Sequence, residues 1–490
     1  MAIVEVHHIA ITSPYRAKGD AILGAIEGHA LPFFKDSHKL IARGVKLFGN
    51  TKEPFAIIVA NKKYYILPSP RDADVFYSNV TTLTWDGFLN DVLVAFGVNR
   101  SRLNPLWAKP ATRSAINPNR KDLIHLTEDL YKKHLLPGKT YDDLIHRLQS
   151  SLNSLLSSAQ MTKRFGTSST RSQRVSLLGL CGNILIDATQ MSLFDPVLFR
   201  IDPNMTAGMQ IFTDQLWKLL YPSPGIDSRE VKSWRQKYTK AFLAYIRLPK
   251  EARKDEAWLI TTLIDQYREL GINENDAAAM MVMVYWTGDA NAYKLAFWIM
   301  SYILFDPALY ASIRAETRPA VQGFDIDMSY LANHCPRLKS IYYEAMRLTK
   351  RDIGIRKILY DTPIDGKILK GGNSAIVPMC QLHDNEDVFG YNSRLFDPDR
   401  FLKRKNLADS SSYKPFGGGR TYCPGRFFAV PEIFGFVALL LNRWDIALAG
   451  DGGRYEQRFP TMDESTLTLG ISRPLPSDEV WVTLSDRTGG

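Results

Sequence analysis

The residue types best suited to chemistry in this chain lie in residues 414–429, where Phe416, Gly419, Cys423 and Gly425 stand at the spacing Phe-x-x-Gly-x-x-x-Cys-x-Gly. Gly417, Gly418 and Gly419 permit backbone angles and close approaches that a Cβ would forbid, so the loop can lie flat against a planar ligand. After Gly425 the apolar positions Phe427, Phe428, Val430, Ile433, Phe434, Val437, Leu440 and Leu441 read as a buried helix, which puts Cys423 just before a helix N-terminus. Unpaired backbone N–H groups and the positive dipole end favour a thiolate there over a thiol. A thiolate in an apolar, glycine-lined cradle is what one soft axial bond to haem iron requires. The plainer reading is a structural cysteine beside a glycine turn.

Two further groupings carry chemistry. Glu344 and Arg347 are three apart on one helix face, and Arg400 follows in Phe396-Asp-Pro-Asp-Arg400-Phe401. A buried carboxylate must be paired, and two guanidinium forks could clamp one. The second grouping lies in 272–304, the longest helical pattern, which Asn273 or Asn275 can cap and Asp306-Pro307 ends. Val284, Thr287, Gly288, Asn291 and Leu295 share one face of that helix, whereas Asp289 lies about 200° round from Asn291 and reads as a structural site.

The cysteine spacing, with Ala429-x-x-Glu432 behind it, resembles the signature of cytochrome P450. The Glu344-x-x-Arg347 pair, the Arg400 segment and the cysteine loop also follow one another in that family's order. The resemblance covers about 28–486 and implies a mainly α fold with a small β lobe, in which a long central helix crosses over haem b held by the Cys423 thiolate. It implies that Glu344, Arg347 and Arg400 form a buried network, and that Phe416, Gly419 and Gly425 shape the haem loop. Arg356 stands where the family places a propionate-binding cation. The family's Trp and Arg of the 120–134 helix are absent, leaving Arg120, Lys121 and His125 as alternatives for the second propionate. The arginine often found two residues before the cysteine is Thr421 here. Trp85, Phe88, Val284, Ile353, Ile355 and Leu469 are the expected substrate contacts, Leu469 from a final hairpin formed by 466–471 and 480–482.

The most informative departure is at Ala290 and Asn291, where most members carry an acid and then an alcohol. Splitting dioxygen needs two protons, and an asparagine amide can hold a water but cannot titrate. Gly288 is expected to leave room for a diatomic ligand, with Thr287 and Asn291 beside it. Asn291 with Ala296-Phe297-Trp298 resembles the branch of sterol and oxysterol 7α-hydroxylases, 12α-hydroxylases and prostacyclin synthase, in a fungal-type biosynthetic form. That branch holds oxygenases and a peroxide isomerase.

The elements that must position these residues follow from periodicity. A helix is predicted over 28–47, a hairpin from strands 55–59 and 64–67 turning at 60–63, and a helix over 68–77. Residues 80–105 are apolar without a clean period. Helices are expected over 120–134, 174–199, 205–221 and 228–245. Pro431 should bend the helix after the cysteine.

Composition sets the outer bounds. The 490 residues, 45% hydrophobic and 23% charged, suit a globular chain with a large core. Four scattered cysteines (Cys181, Cys335, Cys380, Cys423) fit a reducing compartment. The formal charge of +10 is spread out, which argues against nucleic acid and suits an acidic reductase or an anionic membrane surface. No run of 18 or more apolar residues predicts a membrane span. The expected organisation is a 1–27 segment whose native membrane anchor is absent or removed, a catalytic domain over 28–486 and a tail at 487–490.

These expectations describe a monomeric haem-thiolate monooxygenase that takes electrons from NADPH–cytochrome P450 reductase. It would act on an apolar sterol, terpenoid or other polycycle at the cytosolic face of the endoplasmic reticulum. The alternatives are a haem-thiolate isomerase or dehydratase needing neither dioxygen nor NADPH, and a haem-binding protein without turnover.

Overall fold

The computed structural model describes residues 29–59, 62–166, 173–222, 226–323, 325–450, 457–464 and 467–487. Residues 60–61 of the turn predicted at 60–63, residues 465–466 of the final hairpin and nearly all of the predicted terminal segments lie outside them; residues 62 and 63 of that turn belong to the second strand. Contacts divide the chain into two units, one holding residues up to 89, 340–423 and 462–473, the other 90–339, 424–461 and 474 onward.

The first unit is built on a five-stranded sheet in the order Phe55–Val59, Lys62–Ile66, Ser374–Pro378, Ile353–Ile358, Leu83–Thr84. The first two strands are the predicted hairpin, with Phe55 opposite Ile66. Ser374 then pairs in parallel with Tyr64 and antiparallel with Lys357. Helix Ala30–Leu47 is tied to the sheet where His29 Nδ1 accepts from the Ile58 amide at 3.0 Å. Helix Pro70–Ser78 starts at the Ser69 cap and buries Phe76 and Tyr77. Side chains alternate along a strand, so Ile353 and Ile355 share one face of Ile353–Ile358, and Arg356 occupies the other.

The second unit is mainly helical. Helices Leu123–Leu135, Lys139–Leu155, Leu177–Leu193, Arg229–Arg247, Glu274–Asp289, Ala292–Leu304 and Arg426–Arg443 pack around a core including Ile184, Tyr285, Phe297, Phe436 and Leu440. Arg426–Arg443 runs through Pro431 without leaving the helix. By length and mean hydropathy, 1.5, the stretch Gly419–Arg443 could cross a membrane, although the sequence contains no uninterrupted apolar run. The 61% burial of its apolar 18-residue window marks a core helix.

Four expectations change. The predicted continuous helix over 272–304 is two helices that meet at Ala290 and Asn291, where Asn291 has φ −122°. Gly288, Asp289 and Asn291 around it are weak helix formers, a signal that the apolar pattern running on from Leu295 overrides. The 174–199 pattern begins as a strand, Gln173–Ser176, which pairs with Trp481–Asp486; helix follows only from Leu177. Trp481–Asp486 also pairs with Trp444–Leu448, so 480–482 belongs to that three-stranded sheet and forms no hairpin with 466–471. The 120–134 helix starts later, at Leu123, because Asp122 caps it and Arg120 sits at φ +53°, outside helical space.

Candidate functional site

In the first unit the cysteine loop closes on itself. The Gly417 amide donates to Lys414 O at 3.0 Å, and the Cys423 amide donates to Phe416 O at 3.1 Å. Gly417 and Gly419 take φ of +73° and +59°, where glycine is favoured. The loop packs on Tyr77: a Cβ on Gly418 would meet the ring at 3.0 Å, and one on Gly419 would fall 2.0 Å from the Tyr77 carbonyl oxygen. On this side the glycines pack against the Tyr77 ring. Gly419→Ala combines an unfavourable φ with a backbone clash. It is expected to lower thermal stability by several degrees and to halve or worse the haem retained after gel filtration, read from the ratio of Soret to protein absorbance.

Cys423 is exposed, whereas Cys181, Cys335 and Cys380 are buried. Burial pushes the Cys335 and Cys380 thiols up to about 12 and drives Cys181 higher still, so none of these three is available as a thiolate near neutral pH. Arg356 is buried at 2% exposure. Its Nη1 donates to Phe76 O at 2.8 Å and its Nη2 to Thr421 Oγ1 at 2.9 Å. These partners are neutral, and burial pulls the guanidinium below its ordinary pKa. Thr421 thus receives Arg356 where the sequence comparison finds an arginine missing. An exposed thiol, a glycine-lined loop and a buried cation fit a haem bound through sulfur with an acidic side group.

Behind the loop lies the buried ion network. Arg347 grips Glu344 through Nε at 2.9 Å and Nη2 at 2.8 Å, and Arg400 Nε reaches Glu344 Oε1 at 3.0 Å. Glu344 and Arg347 are fully buried, and Arg400 is 5% exposed. Arg347 Nη1 also donates to His383 O at 2.6 Å, and His383 Nε2 accepts from the Lys414 amide at 3.2 Å. The network is therefore anchored to the first residue of the cysteine loop. Sequence reasoning missed His383 and Tyr77 because neither sits in a motif. Trp85 and Phe88 pack ring on ring at 4.9 Å, Ile355 is buried, Ile353 is half-buried, and Leu469 lies at a bend two residues before Ile471 bridges to Lys350.

In the second unit Val284 is buried, Thr287 is exposed and donates to Val284 O at 2.9 Å, and Asn291 is half-buried at the helix break. The side a Cβ on Gly288 would occupy faces Thr189 at 3.3 Å and Leu193 at 3.5 Å, so its small size lets helix Leu177–Leu193 pack close there. Of the three propionate alternatives, Lys121 Nζ pairs with Asp129 at 2.5 Å and His125 Nδ1 with Asp122 at 2.7 Å, while Arg120 Nε donates to Pro110 O at 2.9 Å. Gly425 serves as N-cap of Arg426–Arg443 at an ordinary φ of −66°.

Asp289 is buried, with one oxygen bonded to Gln190 Nε2. Beside it Glu432 accepts from Thr189 Oγ1 at 2.5 Å, a pairing across 243 residues that no local pattern could reveal. Burial lifts Asp289 well above the carboxylate range, with the neighbouring Glu432 adding to the rise, and burial lifts Glu432 to about 8 against the Thr189 hydrogen bond. The folded chain therefore holds protons between about pH 4.5 and 8 that the unfolded chain releases, and stability falls as pH rises through this window. Glu432→Gln is expected to remove up to about 1.4 kcal/mol of that loss per pH unit. Urea unfolding at pH 5 and pH 8 would show the variant gaining on the parent only at the higher pH.

A family model described as Cytochrome P450 matches residues 125–466. A cytochrome P450 monooxygenase of Penicillium oxalicum is 24% identical over 86% of this chain and 86% of its own length. Prostacyclin synthase of Rattus norvegicus is 24% identical, over 92% of this chain and 91% of its own length. Cholesterol 7-alpha-monooxygenase of Cricetulus griseus is 29% identical over 41% of this chain and 44% of its own.

Proposed function

We propose, from the premise that this chain belongs to the cytochrome P450 family and is a haem-thiolate enzyme of its monooxygenase class, that it inserts one oxygen atom from dioxygen into an apolar sterol, terpenoid or other polycycle. The observation that carries this reading is Cys423, the exposed thiol on a closed glycine loop just before the helix Arg426–Arg443. When bound, haem supplies the redox chemistry with dioxygen, tuned by electron density from its cysteine ligand.

The chain's own residues do the rest. Cys423 would hold the iron, while the Phe416 and Gly419 turn keeps the sulfur in place. Arg356, on neutral partners, would take a propionate. Asn291 would orient a water by its amide, and because that amide cannot titrate, protons would have to come through water rather than from a side chain at 290 or 291. Val284, Ile353, Ile355, Trp85, Phe88 and Leu469 would supply apolar contact to the substrate. Electrons would come from NADPH–cytochrome P450 reductase, with the formal charge of +10 favouring an acidic partner. The enzyme would act as a monomer at the cytosolic face of the endoplasmic reticulum membrane.

A second reading has its own support. Ala290 and Asn291 leave the site without the acid and alcohol pair, and one relative is named prostacyclin synthase. Rearrangement of a substrate that brings its own oxygen would need no delivered proton. One incubation separates the two. Under argon, without NADPH or reductase, an oxygenase forms no product from lipid extract, whereas an isomerase proceeds at its full rate.

A further inference from the structure

The second unit contains a cavity of about 430 Å³ that none of the roles above uses. Val94, Leu219 and Ile226 give it apolar walls, and Lys218, Lys232 and Arg235 bring three cations to it. Ser228, Lys232 and Arg235 recur at i, i+4 and i+7, so helix Arg229–Arg247 and its cap present them on one face. Its volume lies within the range of pockets that take small molecules.

Among the described residues no carboxylate bonds Lys232 or Arg235, while Lys218 lies close enough to Asp227 to help hold that carboxyl below its usual range. Lys218 Nζ donates to the amide oxygen of Gln215 at 3.0 Å, and Arg235 Nη1 donates to Ala95 O at 2.8 Å. Of the nearby acids, Asp227 pairs chiefly with Arg229 at 2.8 Å, and Glu230 accepts from the neutral Gln215 amide at 2.5 Å. Burial pulls the Arg235 guanidinium below its ordinary pKa, the mark of a cation short of an anion. Like charges around an apolar hollow repel one another, and an incoming anion relieves that repulsion. A guanidinium fork suits the two oxygens of a carboxylate, and the walls suit a hydrocarbon.

We propose that this cavity binds an apolar molecule ending in a carboxylate, with Arg235 and Lys232 on the carboxylate and Val94, Leu219 and Ile226 along the chain or ring. The inference does not rest on the oxygenase reading, because binding is measured without turnover.

Calorimetry on the full haem-loaded chain, with palmitate and hexadecanol as probes, tests it. Palmitate is expected to bind about tenfold or more tighter than the alcohol. Lys232→Gln, at an exposed side chain, and Arg235→Gln should each erode that preference, and together erase it at an unchanged unfolding temperature. Equal binding of acid and alcohol, no binding of palmitate, or a preference that survives the double variant would overturn the proposal. Vesicles of phosphatidylserine form a second arm. Loss of vesicle binding in the double variant with the palmitate preference intact would assign the cations to a lipid surface and reject the small-acid site.

Discussion

Cys423→Ser is expected to leave a folded chain that no longer carries thiolate-ligated haem. The side chain is exposed, so the loss of sulfur creates no cavity, and the loop's closing bond is made by the backbone amide of residue 423 to Phe416 O. A serine hydroxyl is a poor anion at neutral pH and a hard, weak ligand for haem iron. Circular dichroism and unfolding temperature should therefore match the parent. The ferrous carbonyl spectrum should lose its thiolate-type band, and turnover should fall by about three orders of magnitude or more. An unchanged carbonyl spectrum would show that another residue binds the iron, and the assignment of the site would fail. The remaining cysteines offer no rescue, since burial holds Cys335 and Cys380 as thiols.

The second large effect is on folding. Glu344→Ala would leave Arg347 and Arg400 facing each other, one fully buried and the other 5% exposed, without the carboxylate that both grip. Breaking a buried pair by removing one partner costs about 3–5 kcal/mol, a large share of a typical folding free energy of about 5–15 kcal/mol. Arg400→Ala should cost about as much or somewhat less. It removes one guanidinium but strands the carbonyls of Asn392 and Leu395, which it bonds at 3.1 Å. Urea unfolding and soluble yield report the loss directly. The chain through His383 to Lys414 adds a signature that simple destabilisation would not: haem retention should drop at urea concentrations where the circular dichroism is still native. A cost under about 1 kcal/mol for Glu344→Ala would mean that the network is solvated.

Together these expectations separate two jobs that adjacent segments perform. The loop presents the sulfur, and the ion network holds the loop. Neither job requires Asn291, so substitutions there should alter the reaction without disturbing the haem spectrum. The acid pair of Asp289 and Glu432 belongs to the folding side as well, since both carboxyls are buried among helices of their own unit.

Much of this was legible in the chain as written. Cys423 stood out because glycines before it and an apolar helix after it leave little else for that spacing to do. Glu344, Arg347 and Arg400 could be joined because a buried carboxylate needs cations and the order of the segments matched a known family. The hairpin and the helices near the start followed from periodicity. By contrast, the helix break at Asn291 was hidden by an apolar pattern that runs on past it, although Gly288 and Asp289 just before it are weak helix formers.

The sequence by itself determined the class of chemistry, because a thiolate, a glycine turn and a helix start are local features, encoded by residues that touch one another along the chain. Tertiary structure decided which charges are available. Lys121 looks free in one dimension but sits on Asp129, while Arg356 reaches Thr421 65 residues away and meets no carboxylate in its hydrogen bonds. Charge pairing acts through space over a few ångströms, and only the folded chain sets those distances.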